Sequence, residues 1–79
     1  MVAMEQALVM MVVEPASEKK VLDRLREMPG VIEAHFLYGP YDMYVKIEAR
    51  TSQEIQSIVF NEIRTIPGIR STMTCFIAD

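Results

Sequence analysis

The chain has 79 residues, enough for one domain with one core, but close to the size at which a core alone is a marginal stabiliser. Its formal charge of −3, with eight scattered Lys and Arg residues, is poor material for neutralising phosphates and argues against direct nucleic-acid binding. An apolar fraction of 51% is more than so small a globule can hide, which calls for a self-association surface.

The single cysteine, Cys75, excludes an internal disulfide and cannot build a metal cluster alone; it reads as a small core residue of a cytoplasmic protein. Met1-Val2-Ala3-Met4-Glu5 lacks a basic leader, and the apolar run over residues 7–13 is too short to span a bilayer, so no membrane association is expected.

Residues 6–13 (Gln-Ala-Leu-Val-Met-Met-Val-Val) have the continuous apolar pattern of a strand covered on both faces. Pro15 ends it, having no N–H for a ladder. Ser17 reads as the N-cap of a helix over residues 18–28, with Glu18 in the first turn. Val21, Leu22, Leu25 and Met28 form its apolar stripe, and the charged residues between them form a solvated face. Pro29-Gly30 stops the helix. A strand over residues 31–38 follows, with Ile32, Ala34, Phe36 and Tyr38 on one side and Val31, Glu33, His35 and Leu37 on the other.

Gly39-Pro40 is strong turn punctuation, and a third strand over residues 42–49 turns Met43, Val45, Ile47 and Ala49 to one face and Tyr44, Lys46 and Glu48 to the other. Asp42, between Tyr41 and Tyr44, is either a turn residue accepting a local backbone hydrogen bond or one wall of a small-molecule site. Thr51-Ser52-Gln53-Glu54 has capping-box spacing and opens a helix with Ile55, Ile58, Val59, Ile63 and Ile66 on one face. Pro67-Gly68 ends it, and residues 69–78 form a last strand carrying Ser71, Thr72 and Thr74.

Met28-Pro29-Gly30-Val31 and Ile66-Pro67-Gly68-Ile69 fall at the same point of two strand–helix–strand halves. Two such units with right-handed crossovers interlock as an α+β, ferredoxin-like βαββαβ sandwich, a four-stranded antiparallel sheet with both helices on one face. The uncovered face, with Tyr44, His35, Leu37 and either Met10 or Met11, is expected to dimerise sheet on sheet as a dimeric α+β barrel.

The element order, the paired Pro-Gly breaks, the Gly39-x-Tyr41-Asp42 hairpin and the run from Pro67 to Thr74 resemble the ligand-binding domain of the Lrp/AsnC regulators, over essentially the whole chain. The resemblance implies a non-catalytic amino-acid-sensing module, residues 1–79 being one such domain, with no cofactor or metal. It implies dimers assembling into a ring (an octamer, or a decamer) with an effector in clefts between dimers, acting on full-length regulators of that type. Family members carry a helix-turn-helix ahead of this domain, for which there is no room before Ala7, so a stand-alone form without direct DNA binding is expected. Tyr38 stands where a small hydroxyl residue is more usual in the family.

The ligand-binding residues implied are Gly39, Tyr41, Asp42, Ser71, Thr72 and Thr74. Asp42 suits an ammonium, backbone N–H groups around Gly39 and Tyr41 suit a carboxylate, and the hydroxyls can donate or accept. The alternative is a small dimeric α+β-barrel enzyme, of monooxygenase or isomerase type, using His35 or Tyr44 in a cavity between sheet and helices. No phosphate loop, metal spacing or nucleophile–base pair is present in the sequence.

Overall fold

The computed structural model describes residues 4–79; the absence of a basic leader at Met1-Val2-Ala3 falls outside them. The elements run β1 (Glu5–Val13), α1 (Glu18–Arg26), β2 (Val31–Phe36), β3 (Met43–Ala49), α2 (Ser52–Ile58) with a π turn (Val59–Ile63), and β4 (Ile69–Phe76). The sheet order is β2-β3-β1-β4 and every pairing is antiparallel, the expected ferredoxin-like arrangement. β1 begins one residue earlier than the sequence boundary, and the other strand and helix ends that differ fall one to three residues short, the second helical segment by three at Ile63, as fraying ends do. Among the described residues no helix is long and apolar enough to cross a membrane.

Alternation along β1 decides the layering. Ala7, Val9, Met11 and Val13 are buried beneath the helices, against Val21, Leu22 and Leu25 of α1 and Ile55, Val59 and Ile63 of the second helical segment. Leu8, Met10 and Val12 point to the opposite, helix-free face and stay half-buried. Met11 therefore belongs to the core and Met10 to the open face. One face of β1 is covered within the protomer rather than two, because both helices pack on the same side.

Three local readings are corrected. A register shift at the start of β2 turns Val31 toward the core opposite Ile47 and pushes Ile32 outward, reversing the side assigned to each. The extra residue of such a bulge breaks the two-residue period on which face assignment rests. Cys75 pairs with Leu8 on the open face and is exposed, not a core residue. Ser17 makes no side-chain capping bond: its backbone is already helical (φ −96°, ψ −7°), and its carbonyl accepts the Val21 N–H at 3.0 Å. An N-cap hydroxyl reaches the N2 or N3 amide from an extended backbone, which Ser17 does not have.

Ala16, just before it, lies in the left-handed region at φ 75°. That conformation costs a residue with a Cβ about 1–2 kcal/mol, partly offset in any glycine replacement by the greater freedom of the unfolded chain. Ala16→Gly is therefore expected to raise the unfolding free energy by about 0.5 kcal/mol in urea denaturation.

Thr51 does cap α2. Its backbone is extended (φ −134°, ψ 158°) and its Oγ1 accepts the Glu54 N–H at 3.1 Å, while the Glu54 carboxylate accepts from the Arg50 N–H at 3.2 Å. The reciprocal bond thus falls one residue before the cap. After Ile58 the helix widens into the π turn, marked by Arg64 N–H donating to the Val59 carbonyl at 2.9 Å. Ile55, Val59 and Ile63 recur every four residues, and four residues of α-helix overshoot a full turn by about 40°. The wider turn takes up that overshoot and keeps Ile63 on the core.

Candidate functional site

The hairpin corner is tied to the end of β1. Leu37 N–H donates to the Asp42 carbonyl (2.9 Å), Asp42 N–H donates to the Met11 carbonyl (2.9 Å), and Asp42 Oδ2 accepts from Val13 N–H (2.8 Å). The carboxylate thus accepts a backbone hydrogen bond as a turn acid does, but from a strand 29 residues away rather than locally. Its other oxygen makes no hydrogen bond within the described residues. Gly39, at φ 132°, leaves the loop tip open, since a Cβ built there meets nothing within 4 Å. Glu18, Phe36, Leu37, Tyr38, Gly39 and Asp42 line a concavity of about 450 Å³. Both charged residues in that lining are acids, which suits a cationic group such as an ammonium. Tyr38 is fully exposed at its rim. Tyr41 instead crosses toward β4, its hydroxyl donating to the Met73 sulfur at 3.4 Å.

The three hydroxyls of β4 are divided by the sheet. Ser71 pairs with Val12 on the open face, whereas Thr72 and Thr74 pair with Met11 and Val9 on the helix side. Thr72 and Thr74 there line a cleft of about 580 Å³ against α2 and the π turn, with Gln53, Gln56, Phe60 and Arg64 among its walls. The hairpin concavity and this cleft share no residue. One protomer therefore does not bring the six implied ligand residues together. Phe60 and Arg64 escaped the sequence reading, which followed only the buried stripe of that helix. Their signal is an aromatic and a cation four residues apart on the exposed side.

The helix-free face carries a polar cluster. Tyr44 donates its hydroxyl to Glu33 Oε1 at 3.2 Å, and His35 Nε2 lies 3.6 Å from Glu33 Oε2 and, ring to ring, 5.6 Å from Tyr44. Leu8, Met10, Leu37 and Ile77 join Glu33, Tyr44 and Lys46 around a depression of about 390 Å³. His35 and Tyr44 thus stand outside the sheet–helix interior, where the enzymatic alternative required them, and the buried residues of that interior are all apolar. Among the described residues no three His, Cys, Asp or Glu side chains converge as metal ligands.

Lost hydration first, then the charge of Glu33 and its hydrogen bond, hold the Tyr44 phenol protonated above its ordinary 10.0. The folded state binds this proton more tightly than the unfolded state, so the associated stability is intact below about pH 10 and is lost as pH rises through the folded pKa. Glu33→Gln removes the charge, so an NMR titration of the Tyr44 ring is expected to move down toward its ordinary value without reaching it, and the alkaline loss of stability to begin earlier.

A model of the Lrp/AsnC ligand binding domain matches residues 6–79. An uncharacterised HTH-type transcriptional regulator of Pyrococcus furiosus is 33% identical over 58 residues, covering 73% of this chain and 39% of the regulator. The chain thus spans about two-fifths of the length of the curated regulators it matches. Homocitrate synthase of Sulfurisphaera tokodaii is 40% identical over 57 residues, 72% of this chain but 12% of that enzyme. Among solved structures, FFRP-DM1 superposes with a TM-score of 0.90 at 34% identity, covering 94% of this chain and 99% of its own. The transcriptional regulator NMB0573 of Neisseria meningitidis, solved as an L-Met complex, shares the fold with a TM-score of 0.85 at 16% identity, covering 95% of this chain and 50% of its own.

Proposed function

The chain belongs to the Lrp/AsnC ligand-binding domain family, and from that premise we propose that it is an oligomeric sensing module for an amino acid or a similar small effector. The observation that carries this is the hairpin concavity, where Asp42 offers a carboxylate oxygen beside an open glycine turn and, among the described residues, no Lys or Arg is in the lining. The L-Met bound by NMB0573 supports an amino acid as the class of effector. The match to a small part of homocitrate synthase fits a unit joined to proteins of different activity, as a sensor would be, rather than a catalytic body.

Self-association follows from the helix-free face. Leu8, Met10 and Val12 there adjoin Met73 and Cys75, and sheet-on-sheet packing is the geometry that covers such a surface. Dimers then meet through their edges to form a ring, and the separation of the acidic hairpin from the β4 hydroxyls makes the complete site a joint product of neighbouring copies. The signal passes to full-length Lrp-type regulators through mixed assembly in the cytoplasm.

Calorimetric titration with the common amino acids, at a concentration that keeps the assembly intact, is expected to find one that binds. Asp42→Asn keeps an acceptor for Val13 N–H but loses the charge, and is expected to weaken that binding about tenfold or more. Uniform silence across the amino acids would overturn the assignment.

A further inference from the structure

The cleft between the π turn and β4 holds a cation with no acid. Arg64 places its guanidinium 5.2 Å from the centroid of the Phe60 ring. It forms no ion pair among the described residues, where the salt bridges join Lys19 to Asp23, His35 to Glu33 and Arg70 to Glu14. No carboxylate lines the cleft, in a chain whose acids outnumber Lys and Arg by 11 to 8. A guanidinium stacked on a ring keeps its N–H edge available for a planar, bidentate acceptor.

The surroundings complete an anion site. Thr72 and Thr74 stand two residues apart on the same side of β4, and their hydroxyls make no hydrogen bond within the described residues. Gln53 and Gln56 add amide donors from α2. Phe60 is 65% exposed and offers apolar surface for a ligand's carbon chain to cover. The π turn is what puts Phe60 and Arg64 there, since it spans the segment between them and Arg64 N–H closes it on the Val59 carbonyl. Widened turns of this kind recur at functional positions.

We propose that Arg64, with Thr72 and Thr74, forms a carboxylate-binding subsite, and that its ligand is a small carboxylate with a short carbon chain, of which a dicarboxylate or an acidic amino acid is the fitting class. This rests on the sensing role only in assigning the bound carboxylate to an effector. One guanidinium and neutral donors match one planar carboxylate. A dicarboxylate separates its two charges by a carbon chain and can present one carboxylate to Arg64 while the other stays in water, whereas a phosphate dianion concentrates both charges on one tetrahedral group beside a single cation.

The test is calorimetry on the intact assembly with L-glutamate, succinate, L-leucine and inorganic phosphate as probes. Wild type is compared with Arg64→Gln, Arg64→Lys and, as a control in a separate groove, Lys20→Gln. Succinate and L-glutamate are expected to bind, to lose affinity about tenfold or more in Arg64→Gln and less in Arg64→Lys, and to bind Lys20→Gln as wild type. The subsite is overturned if neither carboxylate binds wild type, if Arg64→Gln binds them unchanged, or if phosphate binds more tightly than both. The two assignments fail separately. An amino acid lost in Asp42→Asn but kept in Arg64→Gln removes the subsite and leaves the sensor. Succinate held through Arg64 while no amino acid binds removes the amino-acid sensor and leaves the subsite.

Discussion

Gly68→Ala is expected to lower the unfolding free energy by about 3 kcal/mol in urea denaturation, a large share of what a domain of this size has. Gly68 sits at φ 103°, where a side chain is strained, and a Cβ there would lie 2.7 Å from the Ser17 Cβ and 3.0 Å from its Oγ. Backbone strain of this kind costs about 1–3 kcal/mol and overpacking a further 1–3 kcal/mol. Relief by movement is restricted, because the Gly68 carbonyl accepts the Glu14 N–H at 2.7 Å and Arg70 meets Glu14 at 3.3 Å. These contacts lock the β1–α1 turn to the start of β4. Gly39→Ala is the comparison: its φ of 132° carries the strain, but the added methyl meets nothing. It is expected to cost about half as much. Equal losses at the two positions would mean that the Ser17 contact contributes nothing.

Met10→Glu is expected to dissociate the proposed sheet-on-sheet assembly into monomers in sedimentation velocity while leaving the circular dichroism unchanged. Met10 lies at the centre of the helix-free face, between Tyr44 of β3 and Met73 of β4, and is only half-buried in the protomer. A carboxylate there stays hydrated in the monomer but is stripped of water without a partner in a sheet-on-sheet dimer. An unpaired charge buried at an interface costs about 3 kcal/mol, roughly a hundredfold in dissociation constant. The neighbouring acid Glu33, held by Tyr44 on the same face, adds repulsion. Unchanged sedimentation of Met10→Glu would place the interface elsewhere. Because the site implied by the hairpin and β4 is not complete in one copy, the same variant is expected to lose effector binding with its assembly.

The legible parts of this chain were those governed by local rules. The Pro-Gly breaks at Pro29 and Pro67, the apolar stripe of α1 and the Thr51 cap each depend on residues a few positions apart, and the structure has them where the sequence implies. Face assignment held for β3, whose two-residue period is unbroken, and for β2 from Glu33 onward; it failed only at the start of β2, for Val31 and Ile32, where an extra residue shifted the phase. Ser17 failed as a side-chain cap because its backbone is already helical, directly after Ala16 in the left-handed region, and residue type alone does not show those angles.

The site divides along the same line. Composition and element order determined that the chain folds as a βαββαβ sandwich with a bare sheet face, and the hairpin and last-strand motifs pointed to the family. Tertiary structure alone decided that Asp42 binds Val13, that Ser71 is separated from Thr72 and Thr74 by the thickness of the sheet, and that Arg64 stands over β4 on a widened turn. Sequence records periodicity and spacing, which specify local conformation; which side of a sheet a hydroxyl meets, and which distant strand claims a carboxylate, are set only when the strands pair.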